Sequence, residues 1–193
     1  MDLGGENLTE YLGRLLTERG YRFTTSAEME LVRGLKEKLC FVLPSSEEVE
    51  TQLACSSQQE MSYETDDGRV ITLGNERFRC PEALFRPSLL GMESPGVHQL
   101  ITNTIISTDI DIRATLWNNI VVSGGNTRFP GFLERIQKEA RRLCPGTNKV
   151  RAYTTDSNYS TWIGGSVLSS LEAFNNLWIT QEEYDEIGPS IVH

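Results

Sequence analysis

The sequence predicts a mixed α/β fold, and three observations carry that prediction. Residues Ile120 to Arg142 run from a short apolar strand through a double-glycine turn into a helix. Residues Met61 to Leu73 read as a hairpin around Asp67-Gly68. Much of the remaining chain repeats apolar side chains at helical spacing.

Taken in order, Leu8, Tyr11, Leu12, Leu15 and Leu16 share one face and predict a first helix from Leu8 to about Arg19, capped by Asn7 with Glu10 and ended by Gly20. Thr25 with Glu28 opens a second helix through Cys40, whose apolar side is Leu31, Leu35 and Leu39. On its polar side Arg33, Lys36 and Glu37 form one surface patch, which reads by default as a solvated ion cluster. Tyr63 and Thr65 precede the hairpin turn, and Val70, Ile71 and Leu73 follow it. Pro81 is expected to open a short helix. Phe85 to Val97 is an irregular but apolar connection that either packs on the body or waits for a partner.

Val97, Leu100, Ile101 and Ile105 mark another helix, and Asp109 to Ile112 turn into a short one around Arg113 to Trp117. Ile120 to Val122 is a strand candidate, and Val150 to Tyr153 is the other. After Gly164-Gly165, the residues Val167, Leu168, Leu171 and Phe174 recur at helical spacing, and Thr180 with Glu183 caps a final short helix.

The double-glycine turn is the segment with most chemical promise. Gly124 and Gly125 let backbone amides approach a ligand, Pro130 suits the first turn of a helix, and helix amino termini favour phosphate or ribose oxygens. The pattern is neither GxGxxG nor GxxxxGK[ST], so an ordinary tight strand-to-helix turn stays open as the other reading.

Composition narrows the function classes. A net charge of -9 argues against a nucleic-acid binder, and the basic stretch Arg135 to Arg142, interrupted by Glu139, reads as a solvated helix face. No apolar run approaches the ~18 residues of a membrane span. Cys40, Cys55, Cys80 and Cys144 form no CxxC pair, and His98 and His193 are the only histidines, so spacing assembles no metal set. No secretory signal is read at the start, and a reducing cytoplasmic setting is expected.

The order and wording of these motifs resemble actin. The blocks are LTERGYRFTT at Leu16 to Thr25, VRGLKEKLC at Val32 to Cys40, VITLGNERFRCPEALF at Val70 to Phe85 and LLGMES at Leu89 to Ser94. DIDIR follows at Asp109 to Arg113, SGGNTRFPG at Ser123 to Gly131 and WIGGS at Trp162 to Ser166. The last is W-I-x-x-x-E-Y-D-E from Trp178 to Glu186, followed by GPSIVH. The resemblance covers essentially all 193 residues and is that of a divergent actin or actin-related protein.

What the resemblance implies is the second half of the actin-like ATPase fold, a pair of ribonuclease-H-like halves hinged around a nucleotide. Residues 4–92 would be the small outer subdomain, 93–158 the inner one with an incomplete sheet, and 159–193 a tail packing on the first half. It further implies that Gly5, Arg33, Lys36, Glu37, Gly124, Gly125, Asn126 and the position of Phe129 surround the ribose and adenine of ATP or ADP. This chain departs from the family with Asn158 for a lysine beside the base, Phe129 for a tyrosine, Asn126 for a threonine and Asn7 for an aspartate. Loss of a cation packed over a ring costs roughly 0.5 to 2 kcal/mol of binding.

The family's phosphate hairpins, metal-organising aspartates and residues near the attacking water are expected upstream of Met1. The isolated chain is therefore expected to have no hydrolytic activity, weak or absent nucleotide binding, no magnesium site of its own and a dependence on a partner for stability. Actin or actin-like subunits and actin-binding proteins are the expected partners, in the cytoskeleton, with no nucleic acid and no membrane. The resemblance places subunit contacts at Leu89, Leu90 and Met92, at Asp109 and Asp111, and at Pro145 and Asn148. It places one wall of a groove for partner helices at Leu168, Leu171 and Leu177. Each has a plainer reading as self-packing loop, helix cap or core stripe. Competing functions are a nucleotide-independent actin-related scaffold, a non-functional truncated product, and an ATPase of sugar-kinase type, which would require phosphate loops that are not read here.

Overall fold

Reciprocal side-chain caps at Thr25 and Thr180 and glycine N-caps at Gly4, Gly96 and Gly131 set helix starts in the computed structural model, which describes residues 2–54, 60–65, 68–146, 148–155 and 159–192. Helix α1 (Gly5–Glu18) begins at Gly5 rather than Leu8. Gly4 is its N-cap, and the Asn7 side chain accepts the Gly4 N–H at 2.9 Å instead of capping the helix itself. Leu8, Leu12, Leu15 and Leu16 are buried as the periodicity predicts.

Helix α2 (Ser26–Leu39) carries the expected cap: Thr25 Oγ1 accepts the Glu28 N–H at 3.2 Å. Glu28 Oε2 in turn accepts the N–H groups of Thr24 and Thr25 at 2.8 and 2.9 Å. Those bonds, Thr24 first, hold the Glu28 carboxyl down from its ordinary 4.5 to about 2. A folded-state value below the unfolded one stabilises the fold above pH ~4.5 and is lost as pH falls through about 2. Glu28→Gln is expected to flatten the acid limb of the helical signal in circular dichroism between those values. An unchanged acid limb would remove the cap from that role.

Helix α3 (Ser46–Ala54) is not among the predicted helices; Ser45 Oγ accepts the Glu48 N–H at 3.3 Å ahead of it, and Val49 is its buried residue. Strands β1 (Met61–Glu64) and β2 (Val70–Leu73) form the predicted antiparallel hairpin, with Met61 opposite Leu73 and Glu64 opposite Val70. Its turn falls partly on Asp67, outside the described residues. In helix α4 (Glu76–Glu82), Pro81 lies in the last turn and does not open the helix. Proline supplies no N–H to the Arg77 carbonyl, and that carbonyl accepts the Phe41 N–H at 3.1 Å instead.

A short 3-10 turn (Pro87–Leu90) leads to helix α5 (Val97–Ile106) and helix α6 (Ile110–Trp117). Strand β3 (Ile120–Val122) then enters the glycine turn, followed by helix α7 (Phe132–Leu143). Strand β4 (Ala152–Thr154) starts later than the apolar Val150 suggests and pairs in parallel with β3, Ile120 opposite Ala152. Val150 is buried in the core, whereas Val121 and Tyr153 are exposed at 67% and 43%. Parallel strands are ordinarily covered on both faces, and this pair leaves one open.

Residues Met1–Thr155 form one compact unit and Asp156–His193 a second. Within the first, residues on both sides of the expected boundary at 92 share one core, from Leu12 and Leu35 to Ile105, Trp117 and Ile136. The second unit contains α8 (Ser160–Ser169), a 3-10 turn (Glu172–Leu177) and α9 (Gln181–Ile187). Gly164 and Gly165 lie inside α8, not ahead of it. Thr180 and Glu183 cap α9 as expected. Among the described residues no helix is long and apolar enough to cross a membrane.

Candidate functional site

Three segments far apart in sequence meet at Gly5. Helix α2 brings Lys36, which is buried at 4% exposure although the sequence reading set it on the polar face. The inward face of α2 is Val32, Leu35 and Lys36, while Leu31 and Leu39 are only half-buried. The Lys36 ammonium donates to the Gly5 carbonyl at 2.7 Å and to Thr9 Oγ1 at 2.9 Å. Burial pushes its pKa down, and its acceptors are dipoles, not a carboxylate.

The turn after β3 supplies the third segment. A side chain at Gly5 would place its Cβ 3.3 Å from Asn126 Oδ1 and 3.5 Å from Lys36 Nζ, so both groups close on the bare Cα. Gly124 has φ 99° and ψ 170°, a conformation that side chains strongly disfavour. Gly125 then starts a 3-10 turn (Gly125–Arg128), with the Thr127 hydroxyl donating to the Gly124 carbonyl at 2.8 Å.

Arg33, one turn before Lys36 on α2, and Glu37, the residue next to it, point to solvent. Arg33 Nε donates to Glu37 Oε1 at 3.2 Å, and Glu30 pairs with the same guanidinium at 3.3 Å. The hydrogen bond that Arg33 donates to Glu37 is the main influence raising the already high Arg33 pKa. The expected single surface patch is thus divided, with Lys36 directed inward and the Arg33–Glu37 pair exposed. Glu37 keeps acceptor capacity suited to a ribose hydroxyl.

Phe129 belongs to the buried core at 6% exposure, so the structure makes its ring a support beneath the turn and not an exposed ring face. Sequence reasoning missed Thr9, which falls on the buried side of α1 and accepts from Lys36 while donating to Gly5 O at 3.0 Å. Its signal was position, one helical turn after Gly5. Asn158, the departure beside the base, lies outside the described residues. No group of three or more His, Cys, Asp or Glu among the described residues is placed to hold a metal ion.

The sequence model of the Actin family matches residues 1–193. The chain belongs to the actin family. Its α/β architecture, with small sheets between helices, fits an actin-like fold.

The remaining residues of interest in this actin-family chain divide by burial. Leu89 is exposed, while Leu90 and Met92 pack against the core, so the apolar loop is partly self-packed. Asp109 is the N-cap residue of α6 by position but makes no side-chain capping bond, and Asp111 is exposed in the first turn. Pro145 and Asn148 are exposed and joined by an Asn148 Nδ2 to Pro145 carbonyl bond of 3.1 Å. Leu168, Leu171 and Leu177 are exposed at 52%, 50% and 70% in the second unit.

The stretch Arg135 to Arg142 is corrected. Arg135 is completely buried, bidentate to Glu82 and bonded to Glu139, while Lys138 and Arg142 pair with Glu48 and Glu47. A solvated face describes only the outer cations.

Proposed function

We propose that this actin-like chain supplies the adenosine side of an ATP or ADP site, together with contact surfaces for actin-like subunits and actin-binding proteins of the cytoskeleton. The convergence of Lys36 and Asn126 on Gly5, beside a turn that only glycine enters easily at Gly124, is the observation that carries this reading. The donors are charged or amide groups, Glu37 keeps acceptor capacity beyond its pair with Arg33, and a Cβ at Gly5 would crowd the space. That set suits a polyhydroxylated, nitrogen-bearing ligand better than a bare phosphate. The exposed Leu89, Asp111, Asn148 and tail leucines support the contact surfaces.

In this reading magnesium and the terminal phosphates are held by the other half of an actin-type clamp, whether on a longer chain or a partner, and these residues alone do not hydrolyse ATP. Calorimetric titration tests it. Adenosine and ATP are expected to bind with affinities within about tenfold of each other. Glu37→Gln should weaken both by about 3- to 10-fold, the loss of one charged acceptor. A preference for ATP over adenosine of about a hundredfold, or adenosine binding that Glu37→Gln leaves unchanged, would overturn it.

A nucleotide-independent scaffold is the second reading, favoured by the self-contained pairing of Lys36 with Gly5 and Thr9 and of Arg33 with Glu37. Co-sedimentation with actin filaments, undiminished after removal of nucleotide, would select it.

A further inference from the structure

Helix α7 distributes its surface cations unequally. Lys138 and Arg142 turn towards α3, where Glu48 and Glu47 neutralise them at 3.5 and 3.0 Å. Arg141 turns the other way, towards the segment that leads into β4. There Lys149 and Arg151 stand on either side of buried Val150, so backbone alternation puts both cations on the outer face. Gln137, one helical turn before Arg141, and Asn148 complete the lining of a depression of about 380 Å³.

Among the described residues no carboxylate pairs with Arg141, Lys149 or Arg151, in a chain whose net charge is -9. Three like charges converging on one concavity repel each other, and an anion relieves that repulsion. The two amides are engaged with backbone: Gln137 Nε2 donates to the Val150 carbonyl at 3.5 Å and Asn148 Nδ2 to the Pro145 carbonyl at 3.1 Å. The charged groups are therefore the binding elements. Two guanidinium forks and one ammonium match several closely spaced phosphate groups better than a single carboxylate, because each fork can take two oxygens of one phosphate. The volume lies at the low end for small-molecule sites, which start near 300 Å³.

We infer that this depression binds a compact molecule bearing several phosphate groups, of the inositol-phosphate class, either free in solution or as a lipid headgroup. It is separate from the Gly5 junction and does not depend on the adenosine reading.

The test titrates the whole chain with soluble inositol trisphosphate, and separately with phosphatidylcholine vesicles with and without phosphatidylinositol bisphosphate. Saturable binding is expected. Arg141→Gln with Arg151→Gln should weaken it by about 10- to 100-fold, and the control pair Lys138→Gln with Arg142→Gln by less than about twofold. Raised salt should weaken it, and adenosine should not compete. Binding of the soluble probe assigns the free source, and binding of the lipid vesicles alone assigns the headgroup.

Protection of Lys149 against acetylation by the trisphosphate, read by mass spectrometry against Lys138 as internal reference, provides a second measurement that needs no variant. Absence of saturable binding to either probe, equal losses in the two double variants, or equal protection of the two lysines would overturn the inference.

Discussion

Arg135→Met is expected to unfold the unit formed by residues 1–155 or leave it marginal. Every N–H of the Arg135 guanidinium group has a partner. Nη1 and Nη2 each reach a Glu82 oxygen at 3.0 Å, and Nε reaches Glu139 at 2.9 Å. The remaining donors take the Leu43 carbonyl at 3.0 Å and Ser46 Oγ at 2.8 Å, while Arg135 Cζ lies 4.6 Å from the Phe85 ring centre. One side chain thereby ties α4, α7 and the start of α3. Methionine fills much of the volume but leaves Glu82 and Glu139, both nearly inaccessible, without their cation. Breaking a buried pair from one side costs about 3–5 kcal/mol, against a typical total of about 5–15.

The loss should depend on pH in a defined sense. Burial pushes the Glu82 carboxyl up, and Arg135 is the chief influence opposing that rise. Without Arg135 the folded-state value climbs further, so the charged form is penalised most near pH ~7. The deficit should shrink as pH falls through the raised value towards the ordinary carboxylate range, where Glu82 is neutral in both states. Urea midpoints of wild type and variant at about pH 7 and about pH 5 measure this. A deficit below about 1 kcal/mol, or one independent of pH, would mean that the cluster relaxes or admits water freely.

The misreading of Arg135 shows where a single sequence stops being informative. On α7 it stands among Lys138, Arg141 and Arg142, and nothing local separates the one inward cation from the outward ones. Its main partner Glu82 is 53 positions away. Lys36 was hidden in the same way, since its acceptors Gly5 and Thr9 lie on another helix. By contrast, the Thr25–Glu28 and Thr180–Glu183 caps, the 61–73 hairpin and the glycine turn were legible because each device is completed within a few residues. Gly5, Asn126 and Lys36 entered as candidates through the family resemblance, and the fold brings them together. Phe129, whose position the same resemblance sets near the ligand, packs its ring in the core, where an apolar ring gains from burial.

Gly131→Ala is expected to damage both stability and the candidate nucleotide site. Gly131 is the N-cap of α7 at φ 85°, and a Cβ there would lie 2.2 Å from the Val42 carbonyl oxygen. The left-handed backbone costs an L residue about 1–2 kcal/mol. Relieving the overlap would also separate Val42 from Pro130, whose carbonyl accepts the Val42 N–H at 2.8 Å, a bond worth about 1 kcal/mol net. The sum is about 2–3 kcal/mol before any repacking.

Gly20→Ala is the internal control, because Gly20 has φ 96° but no heavy atom within 4 Å of its added Cβ. It should lose only the backbone strain, about 1–2 kcal/mol, and leave adenosine affinity unchanged. Moving residues 130–131 away from Val42 shifts the same turn that presents Asn126 beside Gly5, so Gly131→Ala should weaken adenosine binding by about tenfold even where the chain remains folded. Equal urea midpoints for the two variants would show that the Val42 contact yields without cost, and an unaltered adenosine affinity in Gly131→Ala would uncouple the turn's anchorage from the site it carries.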